Sequence, residues 1–371
     1  MTGRERFQRY MRYQPVDRAP NIEVGAWTQT VDRWRGEGMP PGTGLEESII
    51  TFNGNEFFGL DPQMDLDLRI APLPGFEPEI LEEDERVIVS RSDWGVVTRT
   101  LKDGSSMGEY LAFPVRGRQD FEAMRRRYDP ASPGRYPSGW PEFVRTAQAA
   151  HCPVWGPGIG SIGFFSMLRS WMGTENACTI FYDDAPLAHE MCEFIADFTV
   201  ALLAPALREV RLDYFLWWED FSFKTGPLIS PATFREFLLP RYRRCNEALR
   251  AADTEVIFLD TDGNPTVLLP LLLEAGVNGT YPIECAAGMD PLVLRREFGR
   301  DLLMWGGVDK RVLARGEADI RAELLRKLPP LLEDGGYLPQ LDHLAPPDIP
   351  YRNWLYYLDC KRRLLEGDTK L

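Results

Sequence analysis

Histidine is scarce in this 371-residue chain, and its other scarcities narrow its chemistry further. Only His151, His189 and His343 occur. That leaves few groups that titrate near neutrality and few nitrogen ligands for a metal. The cysteines, Cys152, Cys178, Cys192, Cys245, Cys285 and Cys360, form no C-x-x-C pair. Neither a dithiol redox motif nor a zinc ribbon is signalled, and free thiols in a reducing cytoplasm are expected. No stretch approaches the ~20 apolar residues of a membrane helix. Met1–Phe7 has no apolar signal core. Positive charge is in deficit, with 42 Lys and Arg against 56 Asp and Glu and a net charge of −14. Nucleic acid and anionic membrane are therefore unsuited as main partners. No internal repeat and no low-complexity segment is visible. No G-x-G-x-x-G fingerprint follows the first strand candidate, which argues against a dinucleotide-binding open sheet. Gly158–Gly163 only approximates one and follows a middle strand.

Apolar runs that end in acids are plentiful. Tyr214-Phe215-Leu216-Trp217-Trp218 stops at Glu219-Asp220, and Ser230-Pro231 then opens a helix as N-cap and first residue. Strand candidates fall at Asn21–Val24, Met64–Ile70, Pro153–Gly158, Tyr214–Trp218, Val256–Leu259, Gly279–Ile283, Leu302–Trp305 and Tyr337–Leu341. Residues 2–13 and 45–58 read as helices near the start. Later helices fill about 165–175, 184–208, 231–252, 265–275, 291–298, 317–334 and 351–366. The pattern predicts an α/β fold: one (β/α)8 TIM-type barrel spanning residues 1–371. Residues 86–112 read as an added β-hairpin, with turns at Trp94-Gly95 and Asp103-Gly104, placed to act as a lid or rim.

In such a barrel the chemistry gathers at the carboxyl ends of the strands. Those ends carry Glu219 and Asp220, then Asp260, Asp262 and Asn264, then Glu284 and Cys285, then Asp309 and Lys310, then Asp342 and His343. Glu219, Asp260, Glu284 and His343 are the catalytic candidates. Arg169, Asp220, Lys224, Asp262, Asn264, Asp309, Lys310 and Asp342 are the substrate-binding candidates. Glu219, Asp260, Glu284, Asp309 and His343 are expected to share one cavity. Each has a plain structural alternative: a turn or helix cap for Glu219–Asp220 and Asp262, a surface ion pair for Asp309, a satisfied core group for His343. Cys285 reads as a buried structural thiol. Whether a divalent metal such as zinc belongs to this set stays open, because the spacing of Asp260, Asp262, Glu284 and His343 says little about geometry.

Several segments resemble one superfamily over almost the whole length. They are Arg4-Glu5-Arg6-Phe7 with Pro15–Pro20, Gly160–Gly173 before Glu175-Asn176, Glu219–Pro240, and Gly335–His343 with Pro346-Pro347-Asp348. The chain is similar to the uroporphyrinogen decarboxylase superfamily, which includes cobalamin-dependent methyltransferases on the same barrel. Two departures matter. The decarboxylases' arginine-rich segment is matched here by Glu23–Gln29, with no arginine before Arg33, and their aspartate by Asp67. The methyltransferases' zinc-binding His-x-Cys is matched by Asp260-Thr261-Asp262, and Asp342-His343 lies near the later cysteine. The resemblance implies an enzyme that moves a methyl group from a small methylated substrate to a corrinoid acceptor, a cobalamin on a partner protein. Its alternatives are a decarboxylase of uroporphyrinogen or a smaller acid, with Arg169 and Lys310 taking the carboxylate, and a non-catalytic ligand-binding barrel. Homodimers are expected from the same resemblance.

Overall fold

The protein was analysed as a computed structural model that describes residues 1–45, 52–103, 108–158 and 162–371. Its centre is a seven-stranded parallel sheet, curled in the manner of a TIM barrel. In order the strands are Met64–Asp65, Val154–Gly156, Tyr214–Trp218, Val256–Asp260, Gly279–Tyr281, Leu303–Trp305 and Tyr337–Leu338. Helices on the outside connect them, including Phe164–Met172, Thr174–Asp183, Ala185–Glu209, Leu239–Ala251, Pro291–Phe298, Glu317–Asp334 and Tyr351–Leu365. Ser230 caps the helical turn at Pro231 by accepting from the Thr233 N–H at 3.0 Å, as its sequence position implies. Among the described residues no helix is long and apolar enough to cross a membrane.

The expected first strand, Asn21–Val24, is not a strand. Its carbonyls accept from loops rather than from a ladder: Asn21 from Asp61 N at 2.8 Å and Val24 from Phe52 N at 3.1 Å. An isolated bridge, Ala26 to Ala345, and the Glu23 carboxylate, which accepts from Leu341 N at 3.2 Å, tie this stretch to the segment after the last strand. Glu23 anchors it instead, buried against Lys361 at 2.6 Å and accepting from the Tyr357 hydroxyl. The helix expected over 45–58 is also corrected. Residues 46–51 lie outside the described set, and 52–58 run as turns.

The inserted element is larger than a hairpin. Glu79–Glu83, Val87–Arg91, Val97–Leu101 and Glu109–Ala112 form a four-stranded antiparallel sheet in that order. Gly104, in the second expected turn, lies outside the described residues, as do 159–161 of the glycine-rich stretch.

Two apolar layers flank the parallel sheet. The inner one joins Trp155, Tyr214, Leu216, Val256, Phe258, Tyr281, Leu303, Trp305 and Leu338 to Phe7, Tyr10 and Met11 of the first helix. That helix, Gly3–Met11, starts with a capping box between Thr2 and Glu5. The outer layer packs Phe215, Trp217, Ile257, Leu259 and Met304 against the helices.

Candidate active site

Strand alternation decides which acids face the barrel interior. Tyr214 and Leu216 are inward, Phe215 and Trp217 outward. Successive side chains take opposite faces, so Trp218 continues the inward set and Glu219 the outward one. On the next strand Val256 and Phe258 are inward, and Asp260 follows them. Asp260 is the register partner of Trp218, so the two side chains stand next to each other on the inner face.

Glu219 is fully buried and turned away from the interior, into the start of helix Phe164–Met172. Its carboxylate accepts from the Phe164 N–H, from the Ser166 N–H at 2.9 Å and from the Tyr242 hydroxyl. A carboxylate at a helix N-terminus satisfies amides that have no partner within the helix and complements the helix dipole. Burial still pushes its pKa up to about 7, against the lowering effect of these hydrogen bonds. The approach is close: a Cβ on Gly163 would lie 1.7 Å from the Trp218 carbonyl oxygen. Glu219 does not share a cavity with His343.

Asp260 is the opposite case. It is 8% exposed, and its carboxyl has neither a hydrogen-bond nor an ion-pair partner among the described residues. Burial raises its pKa well above the carboxylate range, and Asp262 and Asp220 add like-charge repulsion. Around it sits a cluster of charges. Asp262 and His343 pair at 3.5 Å on the rim. The pKa of Asp262 is raised by burial, opposed by His343, with Asp220 and Glu284 as further repulsive neighbours. Asp220 bonds to Arg169 at 2.5 Å. Asp220, Asp260, Asp262, Glu284 and His343 thus do gather at one mouth.

Other candidates have structural duties. Asp342 is fully buried and accepts from Cys285 N at 2.9 Å and Lys310 N at 3.0 Å, with the Lys310 ammonium 3.6 Å away. It holds two loops together. Burial opposes ionisation of Asp309, but the Arg311 guanidinium, bound at 2.7 and 2.8 Å, keeps its pKa below the ordinary value. Asp309 is therefore an N-cap and ion-pair residue. Glu284 accepts from Gly263 N at 2.9 Å, and Asn264 pins its loop through Ala287 O and Thr266 N. Lys224 is exposed on a two-stranded turn, over the Phe223 ring. Cys285 is a protonated thiol, pushed up to about 12 by burial.

Three features escaped the sequence reading. Asp65 keeps an open face, yet burial and the neighbouring Asp67 raise its pKa to about 6. The buried Leu66 and Leu68 put Asp65 and Asp67 on the opposite face, a signal present in the alternation. Gln340 is fully buried without a hydrogen bond of normal geometry on either amide atom. It lies near Tyr281, whose phenol is held well above its usual range by burial and by Asp260, with Gln340 acting the other way. Finally, a cavity of about 260 Å³ opens between the antiparallel sheet and Trp218, with Arg169 in its wall. A larger cavity, about 340 Å³, lies between the outer helices Ala185–Glu209 and Leu239–Ala251, away from the strand ends.

Among the described residues no three His, Cys, Asp or Glu side chains converge as a metal site requires. The donor set therefore does not fit zinc: Asp262 and His343 engage each other, and Asp342 is committed to backbone amides.

No curated protein matches this sequence. In three dimensions the chain is similar to a methyltransferase from Methanosarcina mazei, with a TM-score of 0.61, 15% identity, and 98% of this chain and 99% of that one covered. At that identity the likeness speaks for the fold. The sequence profile of the family described as uroporphyrinogen decarboxylase (URO-D) matches residues 100–364, running from the antiparallel sheet to the last helix. With the match extending over most of its length, this chain belongs to the uroporphyrinogen decarboxylase family.

Proposed function

We propose that this chain transfers a methyl group from a small methylated substrate to a corrinoid acceptor carried by a partner protein, with Asp260 as the proton donor. The observation that carries this reading is Asp260, 8% exposed at a strand end, whose carboxyl has no hydrogen-bond or ion-pair partner among the described residues. Burial, with the like charges of Asp262 and Asp220, raises its pKa well above the ordinary value and so favours the protonated form. A neutral acid beside the substrate can protonate a leaving heteroatom. In that step the bond from methyl carbon to heteroatom breaks. The electron pair stays on the heteroatom, which takes the Asp260 proton, and the acceptor supplies the nucleophile that receives the methyl group. No step is routed through a metal of this chain. Burial raises the Asp260 pKa, with repulsion from Asp262 and Asp220 added to it, and in this reading the Asp262–His343 pair at the rim returns the proton from solvent. Family membership and a fold shared with a methyltransferase support the reading.

Charge disfavours uroporphyrinogen decarboxylation. The cations beside the acids, Arg169 and Lys310, already face Asp220 and Asp342, and a polyanion would meet carboxylates. A non-catalytic barrel leaves the unpaired Asp260 carboxyl without a use. The test combines the purified protein, a panel of methylated ethers and amines, and free reduced cobalamin, with methylcobalamin formation followed by absorbance. Substrate-dependent methylation that is lost in Asp260→Asn is expected. Turnover of uroporphyrinogen with no methylation of cobalamin would overturn the assignment.

A further inference from the structure

The Gln340 side chain is fully buried, and neither amide atom makes a hydrogen bond of normal geometry. An unpaired buried amide destabilises a fold, and such groups persist where function uses them. Alternation fixes its direction. Tyr337 and Leu341 belong to the outer apolar layer and Leu338 to the inner one, so Gln340 turns inward. The Val308 N–H donates to its carbonyl at 3.0 Å and holds this stretch in place. Inside the barrel the amide meets Tyr281. It acts to lower the phenol's pKa, against burial, as an N–H brought to the phenol oxygen does.

Tyr281 connects Gln340 to Asp260. The two are register partners on adjacent strands. Tyr281 belongs to the inner layer, and Asp260 continues the inward set of Val256 and Phe258. Phenol and carboxyl therefore stand side by side on the inner wall. Trp305 holds the Tyr281 ring from the following strand, with ring centroids 4.6 Å apart. A phenol oxygen that accepts from Gln340 keeps its own O–H free to donate. The neighbouring acceptor along the wall is the Asp260 carboxyl. That carboxyl has no partner in the resting chain, and it becomes a strong acceptor when its proton leaves. Asp220 and Asp262 face Asp260, and Asp262 in turn faces His343, Glu284 and Lys310. Asp262 and Glu23 also act on Tyr281, and Tyr281 acts on Tyr214. Glu23 is already paired with Lys361.

We infer that Tyr281 and Gln340 are positioning residues for Asp260: the Gln340 amide directs the Tyr281 hydroxyl, which donates to the Asp260 carboxylate once its proton has passed to the leaving group. Tyr281 keeps its own proton, because burial and Asp260 both hold the phenol neutral. The bond is made to the product of proton transfer and not to the resting acid, so it acts on kcat more than on KM. The leaving group rests on the methyl-transfer reading above; the pair rests on the geometry of the inner wall.

The test is the titration of Asp260 in the full chain without substrate, followed by carbon NMR of carboxyl-labelled aspartate. Its signal is assigned by its loss in Asp260→Asn. Tyr281→Phe should raise the titration midpoint by about one pH unit, and Gln340→Leu by about half as much. In the methylation assay kcat should fall about tenfold in Tyr281→Phe and about threefold in Gln340→Leu, with KM within about twofold of wild type. Stability to urea should be unchanged or higher in Gln340→Leu, because an unpaired amide is removed, which guards against a misfolded Tyr281 variant. In the Asp260→Asn background neither substitution should lower the rate further. A midpoint that stays in place or falls in both variants, or a raised KM with unchanged kcat, would overturn the inference. The two readings fail separately. A raised midpoint in a chain that methylates no cobalamin retains the pair and sinks the reaction. Methylation that is lost in Asp260→Asn but unchanged in Tyr281→Phe and Gln340→Leu retains the reaction and sinks the pair.

Discussion

Glu219 and Asp260 stand at the ends of neighbouring strands, and both residues are buried, but the protein treats them in opposite ways. Glu219 N–H donates to the Asp260 carbonyl at 2.6 Å, so their backbones are joined. One carboxylate points outward and receives two amide donors and a hydroxyl. The other points inward and receives none. A buried polar group with partners fixes structure, and one without partners destabilises it by an amount of order 1–3 kcal/mol. The outward region therefore serves architecture: Glu219, Gly163 and Tyr242 lock the Phe164–Met172 helix onto the sheet. The inward region concentrates charge that the fold does not need, which is the common signature of a reaction site.

The sharpest way to test this contrast is Asp260→Asn. It removes the proton donor while leaving shape unchanged, so methyl transfer should fall about 10²–10⁴-fold. Stability to urea should stay within about 1 kcal/mol of wild type or rise, because no bond is lost. A large loss of stability would mean that Asp260 is a structural group.

Glu219→Ala should do the reverse. Two backbone amides and one hydroxyl would be left buried and unpaired, at a cost of about 3 kcal/mol or more in urea unfolding. Gly163→Ala should weaken the same region, since its Cβ would collide with backbone. Catalysis per folded molecule should change less than in Asp260→Asn.

The contrast also has a pH signature. The Glu219 pKa is about 7 in the fold against an ordinary 4.5. The folded state therefore holds more protons between these values, and stability falls as pH rises through that window. Its proton-linked contribution is fully present below about 4.5 and is lost through pH 7. Urea midpoints at pH 5 and pH 8 should differ less in Glu219→Gln than in wild type. Asp260 acts as an acid, so activity should decline on the alkaline side, as pH rises through its elevated pKa. A rate that increases with pH in that range would assign Asp260 the role of a base.

The smallest effect belongs to Asp309→Asn. An amide still caps the Lys310–Arg315 helix, and only the charge pairing with Arg311 is lost, so a change of about 1 kcal/mol or less is expected. Methylation rates should match wild type. A strong loss of activity would return Asp309 to the site.

Much of this site was readable as a list of strand-end acids, and much less as a geometry. Asp260 and Asp262, two apart, were legible as sharing a face, and they do lie together with Asp220 and His343. Glu219 was assigned to the interior because acids after apolar runs gather at barrel mouths. Alternation from Phe215 and Trp217 shows the outward direction only once those residues are known to face helices. A strand of aromatic and aliphatic residues alone has no charged side to reveal its parity. Asn21–Val24 looked like a strand on composition, yet its carbonyls found loop donors and Glu23 found Lys361. Trp94 and Tyr110 fell within the expected lid, but that they and Phe113 meet Trp218, across more than a hundred residues, carried no local signal.

What the chain alone determined is the repeating alternation of apolar strands and helices, and the placement of acids at strand ends. Both follow from short-range periodicity, which local residues encode. Only the tertiary structure decided which face each acid takes, which carboxylates find donors and which aromatics meet Trp218. Those outcomes depend on contacts between segments far apart in sequence. Burial and hydrogen bonding then divided two chemically similar acids into a helix cap and an unpaired acid at the mouth of the barrel.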